Sequence, residues 1–395
     1  MSDSTLTRRQ FAGSLAALTA GVIGRPDRAA AAAVPAAVPA AATAPAAPAA
    51  PVAAAPVARP GAVVALDSNE NPYGPSPLAI EAMIRAQAGA ARYPDPLETP
   101  LVEDLARQHH VTPEQIVLGC GSGEILKMAD AAFLGPGKTL VAAEPTFEAV
   151  LMFAGLEKAE AIKVPLDRDH RHDLAAMAKA VDARTGLVYV CNPNNPTGTI
   201  VSGRALEAFI KGLPAGVVVL VDEAYHHFVE DPAYLSMAER IADHPDVVVV
   251  RTFSKIHGLA GMRLGYAIGS KERIAALRPE AVWSNGNAAV LEAARASLGD
   301  PANLARLKRL MNDTRAWLVS ELKSDGRTVI PSEANFVMID LGADVGPVIE
   351  ALRARGVRPG RRFPAMPQWL RVSIGTRPET AAFLEGLRAV APKRA

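Results

Sequence analysis

Lys255 closes the segment Arg251-Thr252-Phe253-Ser254-Lys255, directly after the apolar run Val247–Val250. A lysine just past a buried strand, with hydroxyls beside it, suits imine formation with a carbonyl. Thr252 and Ser254 can donate to a phosphate, and Arg263, in Gly261-Met262-Arg263-Leu264-Gly265-Tyr266, can fork onto one. Asp222 sits at the tip of a second apolar run, Val217–Val221, and is followed by Glu223-Ala224-Tyr225. A carboxylate there is costly without a cationic partner. A protonated pyridine nitrogen is such a partner, and a ring kept cationic in this way acts as an electron sink. The bland alternatives are a solvated surface lysine and an aspartate that caps a helix.

Two further loops belong to the same chemistry. Gly119-Cys120-Gly121-Ser122-Gly123-Glu124 joins a strand expected over Ile116–Leu118 to a helix expected over Gly123–Phe133. Glycines let the backbone curl, and a helix start offers free N–H groups to a phosphate. A dinucleotide fingerprint is excluded, because G-x-G-x-x-G needs glycine where Glu124 stands. Asn192-Pro193-Asn194-Asn195-Pro196-Thr197-Gly198 combines two prolines with a run of amides, a pattern that fixes a loop and aims an amide inward.

These loops need strands to hold them. Leu140–Ala143, Leu187–Cys191, Val217–Val221, Val247–Val250 and Tyr266–Ile268 are short apolar runs bounded by Gly, Pro and polar residues. Such runs suit strands buried on both faces of a mainly parallel sheet, with helices such as Ala149–Leu156 and Leu206–Leu213 between them. The expected class is α/β, with chemistry at the C-terminal ends of the strands. After about residue 283 the texture changes. A long helical stretch from Ala288 to Leu322 leads to strands at Phe336–Ile339 and Leu370–Ile374, the pattern of a smaller α+β domain.

The chain has 395 residues and a formal net charge of +1, so charge gives no case for nucleic acid or an acidic surface as partner. Its two cysteines, Cys120 and Cys191, are too few for a disulfide framework, and its eight histidines are scattered rather than clustered for metal. The N-terminus reads as an address. Thr7-Arg8-Arg9-Gln10-Phe11 is a twin-arginine pattern, followed by an apolar run to Ile23 and then alanines. That run is about 13 residues, short of the ~20 a membrane span needs. A Tat signal over 1–31 and export to the periplasm are the expectation. The Ala/Pro-rich stretch 32–61 reads as a disordered linker.

From about Asp67 to the end the sequence resembles the fold-type I, pyridoxal-phosphate-dependent aminotransferases of class I/II, and within them the histidinol-phosphate aminotransferase subgroup. The resemblance rests on the loops above and on Leu66-Asp67-Ser68-Asn69-Glu70-Asn71-Pro72-Tyr73-Gly74-Pro75-Ser76-Pro77, Arg92-Tyr93-Pro94-Asp95, Ala334-Asn335-Phe336 and Leu370-Arg371-Val372-Ser373-Ile374-Gly375-Thr376. It implies an N-terminal arm and part of the small domain over 62–110, a large cofactor domain over 111–286 and a small domain over 287–395. It also implies that Lys255 carries pyridoxal phosphate as a Schiff base and later moves the substrate proton. Asp222 would pair with the ring nitrogen, Tyr225 and Asn195 with the ring hydroxyl, and Phe147 would stack on the ring. Ser122, Gly123, Thr252, Ser254 and Arg263 would hold the phosphate, reached also by Tyr93 of a partner subunit in a homodimer. Arg371 would grip the substrate carboxylate, with Tyr73, Asn195 and Arg358 also at the substrate. Gly123 departs from the acidic residue usual there, so only its backbone can serve. Arg358 would favour a phosphorylated substrate, although Arg361 and Arg362 compete for its position. The activity implied is ping-pong transfer of an amino group between an amino acid or histidinol phosphate and a 2-oxo acid. Rival readings are decarboxylation of a phosphorylated amino acid and a non-catalytic binding module. Export argues against histidinol phosphate itself, which belongs to a cytoplasmic pool, and toward a related or aromatic substrate.

Overall fold

A computed structural model describes residues 63–391. The expected signal over 1–31 and linker over 32–61 lie outside the described residues. Three sheets hold β1 (Val64–Leu66), β2 (Ile116–Gly119), β3 (Thr139–Glu144), β4 (Glu160–Pro165), β5 (Thr185–Cys191), β6 (Val218–Asp222), β7 (Val247–Thr252), β8 (Gly265–Gly269), β9 (Val329–Ile330), β10 (Phe336–Asp340), β11 (Val357–Pro359) and β12 (Trp369–Ser373).

The seven-stranded sheet has the order β2-β8-β7-β6-β5-β3-β4. Its pairs from β7 through β6, β5 and β3 to β4 are parallel, while β8 runs antiparallel to both β7 and β2. Alternation along β6 and β7 explains why both read as unbroken apolar runs. Val219, Val221, Val247 and Val249 enter the core on one face, and Val218, Leu220, Val248 and Val250 the core on the other.

Three helices depart from the expected domain limits. Pro77–Ala86, Asp95–Gln108 and Ala288–Leu298 place Ala79, Leu101, Leu105, Val290 and Leu291 in the same core as Val219 and Val249. The large layer therefore starts before 111 and extends past 286. An amphipathic helix settles on whichever sheet covers its apolar face, and its place along the chain does not decide that. The stretch 288–322 is also two helices, not one. Gly299 caps Ala288–Leu298, and the Asp300 carboxylate then accepts from the Asn303 N–H to open Pro301–Ser324. Pro301 at the first turn loses no hydrogen bond there.

The small domain builds on β12-β10-β9, antiparallel throughout, over a core that includes Phe336, Leu370, Val372, Leu318 and Phe383. The N-terminal arm packs on it: β1 pairs in parallel with β11, and Leu66 enters this core. Both cysteines are free thiols. Among the described residues no helix is long and apolar enough to cross a membrane.

Candidate active site

A cleft of about 630 Å³ lies where the C-terminal ends of β2, β3, β5, β6 and β7 face the small domain. Lys255, Asp222, Tyr225, Asn195, Phe147, Ser122, Gly123, Thr252, Ser254, Arg263 and Arg371 all line it. Asp67 and Arg371, 304 residues apart in the chain, also meet in this cleft.

Asp222, at the end of β6, is 3 % exposed. Its Oδ2 accepts from the Tyr189 hydroxyl at 2.9 Å and its Oδ1 from the Ala224 N–H at 3.0 Å. Burial pushes the carboxyl up to about 6, against the pull of these hydrogen bonds and of Lys255. Across the cleft floor, Lys255 Nζ donates to the Ser68 carbonyl at 3.2 Å and lies 5.6 Å from the centre of the Tyr225 ring. Desolvation, with Arg371 as the next cause, lowers its ammonium to about 8. The Tyr225 oxygen accepts from Asn69 Nδ2 at 3.0 Å and from Asn195 Nδ2 at 3.4 Å, and burial raises its phenol well above the ordinary value.

β12 alternates, so Leu370 and Val372 fill the core while Arg371 lines the cleft. Arg371 Nη1 donates to Asn195 Oδ1 at 2.7 Å and Nη2 to the Asp67 carbonyl at 2.6 Å. Its guanidinium lies 5.6 Å from the ring of Phe336 and 5.2 Å from that of Phe363. Its Nε is buried without a protein partner.

The anion cradle is built from glycines. Gly121 has φ +78° and precedes the helix Ser122–Phe133, whose start carries no side-chain cap and so keeps its N–H groups free. A Cβ at Gly121 would lie 2.1 Å from Arg263 Nη2, and one at Gly265 would lie 2.4 Å from the Ser122 nitrogen. Arg263 itself has φ 60° and donates from Nη1 to Ser254 Oγ at 3.3 Å and to the Ala260 carbonyl at 3.0 Å. These residues fit pyridoxal phosphate. The cradle suits its phosphate, the buried Asp222 its ring nitrogen, the half-exposed Phe147 its flat face and the Lys255 amine its aldehyde.

Tyr93, whose expected place is the site of a partner subunit, is 79 % exposed just before the helix Asp95–Gln108. Two other expected residues are not brought to the cleft. Tyr73 is half-buried beside Thr314, Glu379 and Arg306, against the small-domain core. Arg358 is the outward residue of β11, between inward Val357 and Pro359, and its Nε pairs with Asp67 Oδ2 at 3.1 Å. Arg361 lines the cleft in its place, its guanidinium 4.3 Å from the Phe363 ring and ion-paired with Glu148 across the mouth. Tyr189 joins the site through Asp222, although its only signal in the sequence is a phenol inside the apolar run Leu187–Cys191. Asp67, Ser68, Asn69 and Glu70 also line the cleft.

The fold and the cleft define a pyridoxal-phosphate enzyme. Residues 62–387 match the family Aminotransferase class I and II, and the chain belongs to that family. It is 42% identical over 331 residues to the histidinol-phosphate aminotransferase of Moorella thermoacetica, covering 83% of this chain and 85% of that one. It is 40% identical over 334 residues to the aromatic amino acid aminotransferase of Thermobifida fusca, covering 85% and 92%. The crystal structure of histidinol-phosphate aminotransferase from Sinorhizobium meliloti in complex with pyridoxal-5'-phosphate matches with a TM-score of 0.79 at 26% identity, over 83% of this chain and 91% of that one. The protein is a pyridoxal-phosphate-dependent aminotransferase, moving an amino group between an amino acid or related amine and a 2-oxo acid. These relatives favour neither the decarboxylase nor the non-catalytic reading.

The lowered Lys255 value has a measurable consequence. A neutral amine attacks an aldehyde and an ammonium does not, so apoenzyme should take up pyridoxal phosphate faster as pH rises through about 8. Stopped-flow absorbance reads this rate. An uptake rate that is flat between about pH 6 and about pH 9 contradicts the neutral-amine attack.

Proposed function

We propose that the protein is an exported, homodimeric aminotransferase whose amine substrate is an aromatic amino acid or a close relative of one, without a phosphate. The observation that carries this reading is the arrangement around the substrate end of the cleft. Arg371 lines the cleft with its guanidinium held by Asn195 and the Asp67 carbonyl, placed to take an α-carboxylate, Phe363 offers an apolar wall, and Arg358 is turned outward onto Asp67. The twin-arginine layout of residues 7–11 supports export.

The roles follow from position. The N–H groups of Ser122 and Gly123, the hydroxyls of Thr252 and Ser254 and the Arg263 guanidinium would hold the phosphate. Asp222 would keep the ring nitrogen protonated, with Tyr189 holding Asp222 in place. Tyr225 and Asn195 would hold the ring oxygen, Phe147 would pack on the ring, and Lys255 would carry the cofactor. Pyridoxal phosphate supplies the electron sink that stabilises charge at the substrate Cα. Arg371, steadied by Asn195 and the Asp67 carbonyl, orients the carboxylate and so fixes which Cα bond faces Lys255. Lys255 Nζ would take the Cα proton and hold it as an ammonium beside the substrate. The low-polarity setting that lowers its ammonium to about 8 suits that transfer. Over the whole reaction the amine gives up its amino group and becomes a 2-oxo acid, while a second 2-oxo acid gives up its keto oxygen and becomes an amine, the water consumed in one half being returned in the other.

Tyr93 and Trp283, 79 % and 88 % exposed, support a two-fold interface in which Tyr93 reaches the phosphate of the partner subunit. Sedimentation equilibrium of the full chain checks this, and a monomer at micromolar concentration removes that role for Tyr93. Cell fractionation checks export, and activity confined to the cytoplasm overturns it.

A second reading, histidinol phosphate, is favoured by Arg353 and Arg361 on the cleft wall and by the name of the Moorella relative. A donor screen separates the two. Purified holoenzyme is mixed with phenylalanine, tyrosine, glutamate or histidinol phosphate, and the cofactor absorbance is followed over a single turnover. Aromatic amino acids are expected to deplete the visible band fastest. Response to histidinol phosphate alone overturns the substrate proposal.

A further inference from the structure

Asn69 makes more connections in the cleft than any role given to it so far explains. It is 2 % exposed and holds φ 54°, a left-handed conformation that asparagine tolerates better than most residues. Its backbone N–H donates to Ser373 Oγ at 2.8 Å, and its carbonyl accepts from Asn335 Nδ2 at 3.0 Å. The Ser373 hydroxyl then donates to Asn69 Oδ1 at 3.0 Å, which leaves Asn69 Nδ2 pointing at the Tyr225 oxygen, 3.0 Å away.

In this arrangement Ser373 Oγ takes the Asn69 N–H and gives its one proton to Oδ1, which leaves the Asn69 amide to donate to the phenol. Asn195 is held more firmly, because an arginine can only donate. Its Oδ1 accepts from Arg371, and its Nδ2 donates to the same Tyr225 oxygen at 3.4 Å. Two amides, each oriented by a residue of β12, therefore meet on one phenol oxygen. A phenol oxygen has two lone pairs and one proton. With both lone pairs taken, the proton is left to point elsewhere, into the cleft that Tyr225 lines.

We infer that Asn69 is a positioning residue for Tyr225, and that its amide, oriented by Ser373, donates to the phenol oxygen and so leaves the Tyr225 proton for the bound cofactor. The inference rests on the reading above, in which Tyr225 faces the cofactor's ring oxygen. It assigns the arm residue 69 a part in setting the charge on that oxygen. It also makes β12 serve twice, with Arg371 for the substrate and Ser373 for the phenol.

The test is the pH midpoint of the holoenzyme's visible absorbance change. A donor to the ring oxygen disperses its negative charge, so a proton held nearby on the cofactor is bound less tightly. Weakening the donor tightens that proton and raises the midpoint. The charged and titratable groups facing Tyr225 are Arg371 from β12, Cys191 from β5, Asp222 from β6 and Lys255 after β7, and the variants leave all of them in place. Asn69→Gly accepts the left-handed backbone, keeps the main-chain bonds to Ser373 and Asn335, and removes only the amide. It is expected to raise the midpoint by about 0.5 to 1 pH unit. Ser373→Ala, which unlocks the amide but leaves it present, is expected to shift the midpoint the same way by less, and it serves should the glycine variant fail to fold. In a Tyr225→Phe background Asn69→Gly should shift nothing further. An unchanged midpoint in both single variants, or a full shift that persists without the phenol, overturns the inference. A wild-type holoenzyme with no midpoint, or one whose midpoint survives Lys255→Ala, overturns instead the reading beneath it.

Discussion

Replacing Lys255 with alanine is expected to lower turnover by about 10⁴-fold or more, since a positioned general base contributes about 10²- to 10⁴-fold and the covalent anchor is lost in addition. No other lysine lines the cleft among the described residues, so nothing stands ready to take over either task. The fold should survive. Lys255 makes one hydrogen bond, to the Ser68 carbonyl, and removing a buried amine relieves a desolvation cost. Steady-state rates, with circular dichroism as the check on folding, measure both halves. A variant that folds and keeps even a tenth of the wild-type rate would remove Lys255 from the chemistry.

The second large effect belongs to Asp222. Asparagine at this position keeps the shape and the contacts to Tyr189 and Ala224 but takes away the charge. A charge partner that is buried and then lost costs about 3–5 kcal/mol, which is roughly 10²- to 10³-fold or somewhat more in rate when the pair matters at the transition state. Asp222→Asn is therefore expected to lose turnover on that scale while still loading cofactor through Lys255 and the phosphate cradle. The carboxyl's rise to about 6 is burial outweighing its hydrogen bonds and the pull of Lys255. Pairing with the cofactor nitrogen pulls it down again, so activity should hold to lower pH than that value implies. Rate and cofactor content measured on the same sample separate the two effects. An asparagine variant with a wild-type rate would show that the ring nitrogen does not need a charge.

Much of this was legible in the sequence for a physical reason. Strands covered on both faces must be apolar at every position, so β6 and β7 announced themselves as valine runs, and their last residues announced the site. Glycine at 121 and 265 and the amide-rich loop after β5 carry their constraints locally. What was hidden depends on partners distant in the chain. Arg358 sits on a three-residue strand, too short for a period, and its outward face is set by pairing with β1. Tyr189 has an apolar body and a single polar atom, so it reads as core until Asp222 is found against it. Asn69 gains its meaning from Ser373, 304 residues away. The helix Ala288–Leu298 looked like the start of the small domain until the helix Pro77–Ala86 was seen packed with it in the core of the large sheet.

The central claim is that pyridoxal phosphate is held on Lys255 in a cleft that transfers amino groups. The most direct measurement is reduction of the purified holoenzyme with borohydride, followed by proteolysis and mass spectrometry of the fixed cofactor. The cofactor is predicted on the peptide that contains Lys255 and on no other. A cofactor fixed on a different lysine, or on none, would contradict the claim.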